Sequence, residues 1–406
     1  MTPESELFVY AAGAPPAITV GTRPNAWSRG VSHAFFLFFT SPILSPYIDQ
    51  KTIYLFWIVP ILDPLFLKYL LRSAAGISGQ LWWATGALLL WFVAVAPESC
   101  LRWSLMLWSL AYLWYAFEQD LFYLGFWMVV NVAVAVLQAL TYWGLGPAAA
   151  MQLGPNNIAA TVWGPYATRT FTNFYSIVPG FDLPRFSGLS REGGFFASLL
   201  ATVVLLKVSE RQRIGLPLWL GIVLSLSKST AFLALGWIFT AIGAKDRRTP
   251  ALLFLPFLLC FCLAYFLCLD GALMEGRISP TFTQRLYPYA ALFHDLDLQN
   301  LLAGSRLSPH VLAQFKSFQL CVNVESYVNC LEMPSFAALI YAAGIVGLCL
   351  YLWQLAALGV TLWGVLLIFI LTSNVSPLSN TSFVVLSYFL AMRVSGAGGP
   401  PPRGAV

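Results

Sequence analysis

Six arginines, Arg169, Arg185, Arg191, Arg277, Arg285 and Arg306, lie in or just past two long stretches, 144–185 and 270–333, that interrupt an otherwise apolar chain. Arginine presents a planar, permanently charged fork that matches the oxygens of phosphate and pyrophosphate. Such a set at a membrane surface points to a large anionic lipid headgroup handled there. The sharpest local pattern runs from Leu183 to Phe196. Within it, Arg185, Arg191 and Glu192 stand where a loop meets a helix, and Gly188, Gly193 and Gly194 allow close backbone approach. Ser190 is placed to cap that helix, whose positive start favours an anion. The blander alternative is interfacial snorkelling of the arginines beside a glycine-lined packing face.

Other residues carry weaker signals. Lys228, between two apolar stretches, is an expensive ion to place in a bilayer and is read as a ligand contact, with snorkelling to the outer interface as the alternative. Arg285 and Tyr287 form a second candidate pair, with a loop salt bridge from Arg285 to Asp295 or Asp297 as the structural alternative. His294 and His310 could titrate near neutral pH. Glu325 and Glu332 are further candidate bases, and Trp163 and Tyr166 could stack on a sugar. There is no glycine-rich phosphate loop, and the three histidines lack metal-ligand spacing. Neither a metal, a cofactor nor a nucleic-acid partner is therefore expected.

The elements that must position these groups are membrane helices. With 59% hydrophobic and 10% charged residues, the chain falls far below the roughly 25% charge of soluble domains. Apolar runs of about 17–22 residues recur, the length needed to cross the hydrocarbon core. They do not alternate as barrel strands would; Phe126–Leu140 and Leu252–Leu267 are apolar on nearly all sides. The fold expected is all-α and polytopic, with about twelve helices near 32–48, 53–70, 80–96, 101–117, 121–142, 190–206, 214–226, 229–244, 251–269, 334–353, 356–374 and 380–393. The short seventh and the eighth would form a pair bent near Ser225–Ser229. Residues 1–30 read as a cytoplasmic tail without a cleavable signal, 31–394 as one membrane domain, and 395–406 as a flexible Gly/Pro-rich tail.

Basic residues at helix ends set the orientation. Arg23, Arg29, Lys68, Arg72, Lys207, Arg211, Arg213, Lys245, Arg247, Arg248 and Arg393 all fall on one face, the cytoplasmic one. Both termini then lie inside and both long loops outside, where Cys321 and Cys330 could form a disulfide. The cysteines of the apolar runs, Cys349 among them, read as small packing residues.

From Arg185 onward the chain resembles the O-antigen polymerase and ligase superfamily of membrane glycosyltransferases. The elements that carry the resemblance follow in order over about 180–355. They are Arg185-Phe-Ser-Gly188 before a helix, then Leu224-Ser-Leu-Ser-Lys-Ser-Thr-Ala-Phe-Leu233, then Thr283-Gln-Arg285-Leu-Tyr287 at the start of the large loop, then Leu302-Ala-Gly304-Ser-Arg306, and finally Gly344-Ile-Val-Gly347 in a helix. Ligases of the family usually carry a histidine where the large loop re-enters the membrane. This chain has Glu332-Met-Pro-Ser335 there, which favours a polymerase.

The resemblance implies a fold like that of other polyprenyl-dependent membrane glycosyltransferases, seated in the bacterial inner membrane with its loops in the periplasm. Its substrate would be an oligosaccharide repeat on undecaprenyl pyrophosphate, used without nucleotide or metal. Membrane lipid is a further partner, and a flippase and a chain-length regulator are partners the resemblance leaves open. Arg185, Glu192 and Arg285 are the expected catalytic residues. Arg191, Lys228, Tyr287, Arg306 and His310 are the expected substrate contacts. The alternatives are a ligase passing finished glycan to another acceptor and, from a different class, a lipid-linked sugar transporter. Transporters favour charges at the bilayer midplane and repeated halves, and the chain shows neither.

Overall fold

The structure is a computed structural model and describes residues 24–48, 51–74, 78–164, 184–191, 193–210, 212–226, 288–289, 298–304, 321–324, 327–330, 335–373, 375 and 377–395. These are mainly helical, with two short antiparallel hairpins added to the expected all-α architecture.

Helix α1 (Ala26–Thr40) begins where Asn25, in extended backbone, accepts a hydrogen bond from the Ser28 amide. That cap starts the helix earlier than the expected 32–48 and takes Ala26–Gly30 out of the tail assigned to 1–30. A 3-10 turn (Pro42–Leu44), the hairpin β1 (Tyr47–Ile48) and β2 (Lys51–Thr52), and two more 3-10 stretches (Leu55–Trp57, Val59–Leu62) lead to α2 (Pro64–Ala74). The helix expected over 53–70 is thus broken, for a physical reason. Pro60 and Pro64 lack the amide that a helix interior needs. Asp63 is fully buried, and its Oδ1 accepts from the Leu65 and Phe66 amides and from the Ser28 hydroxyl at 2.8 Å. It caps a helix rather than continuing one.

Four helices then match the apolar runs closely: α3 (Gly79–Val95), α4 (Pro97–Glu118), α5 (Leu124–Leu145) and, after two short helices α6 (Pro147–Gln152) and α7 (Pro155–Trp163), α8 (Gly193–Ser209). Ser78 caps α3 and Pro97 opens α4. Helix α9 (Leu216–Ser225) is short, as its sequence requires. The helices expected at 229–244 and 251–269 lie outside the described residues. Within the second long loop are α10 (Leu298–Ala303) and the hairpin β3 (Cys321–Val324) and β4 (Tyr327–Cys330), whose register sets Cys321 opposite Cys330. Directly opposed residues of such a pair have Cα atoms about 4.5–5.5 Å apart, a span that disulfides bridge. The last described elements are α11 (Ser335–Ala357), α12 (Leu362–Leu371) and α13 (Ser382–Val394).

Among the described helices, Leu124–Leu145 and Phe336–Ala357 are long and apolar enough to cross a membrane; α2 and α3, set at 108°, pass that test only together. The outer helices carry broad apolar exposure: Trp83 is 76% exposed and Leu90 72%. A water-facing monomer rarely shows such a surface, whereas a lipid-facing helix requires it. These helices agree with a membrane protein. Cys349, read from the sequence as a small apolar packing residue, is exposed on α11.

Helices α8 and α13 form the centre. Every residue from Phe196 to Leu206 and from Ser382 to Ala391 is buried, as expected of helices apolar all round. They pack side by side in parallel. At their C-terminal ends Arg393 faces Glu210 at 3.7 Å, with side chains only 10% and 14% exposed, and the Arg393 guanidinium lies over the Phe117 ring. Burial raises the Glu210 carboxyl above its usual range, while Arg393 and Lys207 draw it back. Removing one partner strands the other in a dry site. Arg393→Met should cost about 2 kcal/mol, less than the roughly 3–5 kcal/mol of a fully buried pair. Thermal unfolding in detergent should show Glu210→Gln restoring part of that loss; a double variant no better than the single would exclude the pair as a stabilising unit.

Candidate functional site

The segment from Pro184 to Arg191 enters the bundle rather than crossing its surface: Phe186, Ser187, Gly188 and Ser190 are all buried. A buried loop must have its backbone groups satisfied, and α5 does this with two side chains on one face. The Asn131 Oδ1 accepts from the Leu189 amide at 2.8 Å, while its amide group donates to the Thr40 carbonyl. Two turns on, the Gln138 Oε1 accepts from the Gly188 amide at 3.0 Å, and its Nε2 donates to the carbonyls of Gly188 and Leu153. Both amides are 0% exposed. Gly188 is required on two counts: its φ is +55°, and a Cβ there would come within 2.1 Å of the Asn131 Oδ1.

The loop is also held from its other neighbours. The Ile43 amide donates to the Leu189 carbonyl at 3.3 Å, and the Phe186 amide donates to the Leu224 carbonyl at 3.1 Å. The Phe186 ring packs edge-on against Tyr142 and Trp143. Sequence reasoning passed over Asn131 and Gln138 because the run around them is apolar on nearly all sides. The available signal was their spacing: seven residues, two helical turns, on one face.

Arg185 is half-buried, and its Nε donates to the Ser225 carbonyl, 3.4 Å away, at the C-terminal end of α9. That helix closes with Leu226 in the left-handed region, and a cation at a helix C-terminus is favourable. A Cβ on Gly193 would stand 3.3 Å from both the Arg185 Nε and the Ser225 carbonyl oxygen, so this glycine lets α8 begin directly against the pair.

Arg191 has other neighbours. Its Nη2 donates to the Thr52 hydroxyl, and its guanidinium carbon lies 5.9 Å from the Tyr54 ring centroid. It borders a pocket lined also by Pro42, Ser190, Phe195, Thr381 and Ser382. Arg185 does not line this pocket, so the two arginines do not share it. Glu192, Lys228, Arg285, Tyr287, Arg306 and His310 lie outside the described residues, as do His294, Glu325 and Glu332. Trp163 is described, and its indole donates to the Leu44 carbonyl at 3.1 Å. No group of acidic, histidine or cysteine side chains suited to a metal occurs among the described residues.

A second junction joins stretches forty residues apart. Helix α10 ends at Gly304 (φ +91°), which lies against Ala342, Ala343 and Gly344 (φ +69°). A Cβ on Gly344 would fall 2.1 Å from the Leu302 carbonyl oxygen and 2.6 Å from the Gly304 nitrogen. Gly344 is not helical, so α11 is kinked there, and the Ala343 carbonyl accepts instead from the Trp91 indole at 2.8 Å.

Replacing Gln138 with Leu should leave the Gly188 amide and carbonyl unsatisfied in a dry site, at about 2–4 kcal/mol for the two groups. A lower unfolding temperature together with proteolytic cleavage near 184–191 is the expected result. Wild-type resistance to protease would show that the amide does not hold the loop.

No family model matches the chain, and no curated protein or solved structure matches it.

Proposed function

We propose that the protein is a polysaccharide polymerase of the inner membrane, a metal-independent glycosyltransferase with about twelve spans and both long loops on the periplasmic side. The observation that carries this reading is how the resembling elements meet. Arg185-Phe186 packs against Leu224-Ser225, and Leu302–Gly304 packs against Ala342–Gly344. Four of the five elements in the resemblance are thus paired by backbone contact, across intervals that local packing alone does not call for.

In the proposed reaction a hydroxyl oxygen of one lipid-linked repeat attacks the anomeric carbon of the chain on a second carrier. The anomeric C–O bond to phosphate breaks, and undecaprenyl pyrophosphate departs with the electron pair. The hydroxyl proton passes to a carboxylate, for which Glu192 is the first choice. Charge rises on the leaving diphosphate, so fixed guanidinium groups lower the barrier most. Arg185 and Arg285 take that role; Arg191, Lys228, Tyr287, Arg306 and His310 hold substrate. The glycosyl pyrophosphate bond already stores the energy, and no nucleotide is consumed.

Protein reconstituted in one leaflet with lipid-linked repeats should lengthen them without nucleotide or ion gradient. A ligase would instead transfer existing long chains to a different acceptor, and a transporter would move repeats across the bilayer without lengthening them. Either result would replace this proposal.

A further inference from the structure

The pocket beside Arg191 has a feature that fold stability does not explain. Thr381 stands at the N-cap of α13 in extended backbone, where a threonine hydroxyl normally accepts from an amide of the first turn. Here it makes no such bond. Thr381 and Ser382 both border the pocket and are 9% and 4% exposed as residues, and their buried hydroxyls have no hydrogen-bond partner among the described groups. Leaving two such hydroxyls dry and unpaired costs about 1–3 kcal/mol each. Native structures rarely retain that cost without a use for it.

The surroundings select the ligand's charge. The first turns of α8 and α13 lie at the same end of a parallel pair, since their other ends meet at Arg393 and Glu210. Two positive helix ends therefore converge where Ser190, Arg191, Thr381 and Ser382 border one small cleft of about 20 Å³, room for a single oxygen-sized group. Arg191 is already oriented by the Thr52 hydroxyl and the Tyr54 ring. A fork-shaped cation and two hydroxyl donors at a pair of helix starts match the tetrahedral oxygens of a phosphoryl group.

We propose that Arg191, Thr381 and Ser382 form a phosphoryl-binding site in which α13, and not only the arginine loop, grips the ligand. One phosphoryl oxygen enters beside the hydroxyls, and the rest of the group lies in the mouth of the cleft. This deepens the polymerase reading by adding Thr381 and Ser382 to the diphosphate contacts, but the chemistry belongs equally to a bilayer phospholipid. The probes must separate the two sources.

The test uses the full chain in nanodiscs and the near-isosteric double variant Thr381→Val/Ser382→Ala. Binding of farnesyl pyrophosphate and of inorganic pyrophosphate is read by calorimetry, in discs of phosphatidylcholine and then of phosphatidylglycerol. The expected result is binding of both probes to the wild type and about a tenfold loss in the double variant, the order of one lost charge-assisted contact. Probe binding in phosphatidylcholine discs that disappears in phosphatidylglycerol discs would assign the site to bilayer lipid. Equal affinity in wild type and variant would overturn the proposal, as would binding of neither probe with no effect of phosphatidylglycerol. If the double variant does not fold, Ser382→Ala alone should still lower affinity severalfold, and an unchanged affinity there would also overturn it. Lengthening of lipid-linked repeats is measured separately. Pyrophosphate binding without lengthening keeps this site and removes the polymerase, whereas lengthening with variant-independent affinity does the reverse.

Discussion

Gly344→Ala should abolish the folded protein or come close to it. The added methyl would have to occupy space 2.1 Å from the Leu302 carbonyl oxygen and 2.3 Å from its carbon. These are backbone atoms, and they cannot rotate away as a side chain would. The position also has φ +69°, which costs a non-glycine residue about 1–2 kcal/mol. Overpacking adds about 1–3 kcal/mol or more, so the total is a large fraction of the stability of an ordinary domain. Gly86→Ala is the matched control, since nothing lies within 4 Å of its Cβ position on α3. Helix propensity predicts a gain of up to about 1 kcal/mol there. Yield from membranes and unfolding temperature in detergent should separate the two variants sharply. A Gly344→Ala protein as stable as wild type would mean that the contact between 302–304 and 342–344 is not part of the native state.

That glycine also marks where the sequence stopped being informative. Apolar runs placed α3, α4, α5 and α8 within a few residues, and the ends that local chemistry enforces, Ser78 before α3 and Pro97 opening α4, lie close to where hydropathy alone put them. The same method put one helix over 53–70, since hydropathy averages over Pro60, Asp63 and Pro64. It also placed α1 late, because Asn25 lies among polar residues that looked like a tail. The Gly-Ile-Val-Gly element was visible as a pattern, yet its meaning was not. A kink stabilised by Trp91, far away in the chain, depends on tertiary contact and leaves no mark in local spacing.

The site divides in the same way. Arg185, Gly188, Arg191 and Gly193 stood out as types that chemistry or close packing would need. What fixes them came from helices read as plain membrane filler: Asn131 and Gln138 on α5, and Thr381 with Ser382 at the start of α13. A polar residue in an apolar run is expensive unless it is satisfied. Spaced pairs of such residues therefore carry more information than their hydropathy suggests. Arg191 and Arg185, close in sequence, have different neighbours, which a linear pattern cannot reveal.

Arg185→Ala should remove polymer while leaving single lipid-linked repeats intact, and Arg285→Ala should do the same. Loss of one fixed charge at a developing oxyanion lowers turnover by about 10²–10³-fold, enough to reduce long chains below detection. Arg185 also holds the end of α9 through Ser225, so a structural defect could imitate a catalytic one. Arg185→Lys separates the two roles. Lysine keeps a cation at the α9 C-terminus but loses the planar fork. If the fork acts on diphosphate, Arg185→Lys unfolds at the wild-type temperature yet makes little polymer. If Arg185 serves only as a helix cap, Arg185→Lys restores both stability and chain length. Normal chain length in Arg185→Ala would remove this residue from the chemistry altogether. The diphosphate would then have to be held by Arg285 or by the cleft between α8 and α13, and the pyrophosphate affinity of Arg191→Gln would decide between those two.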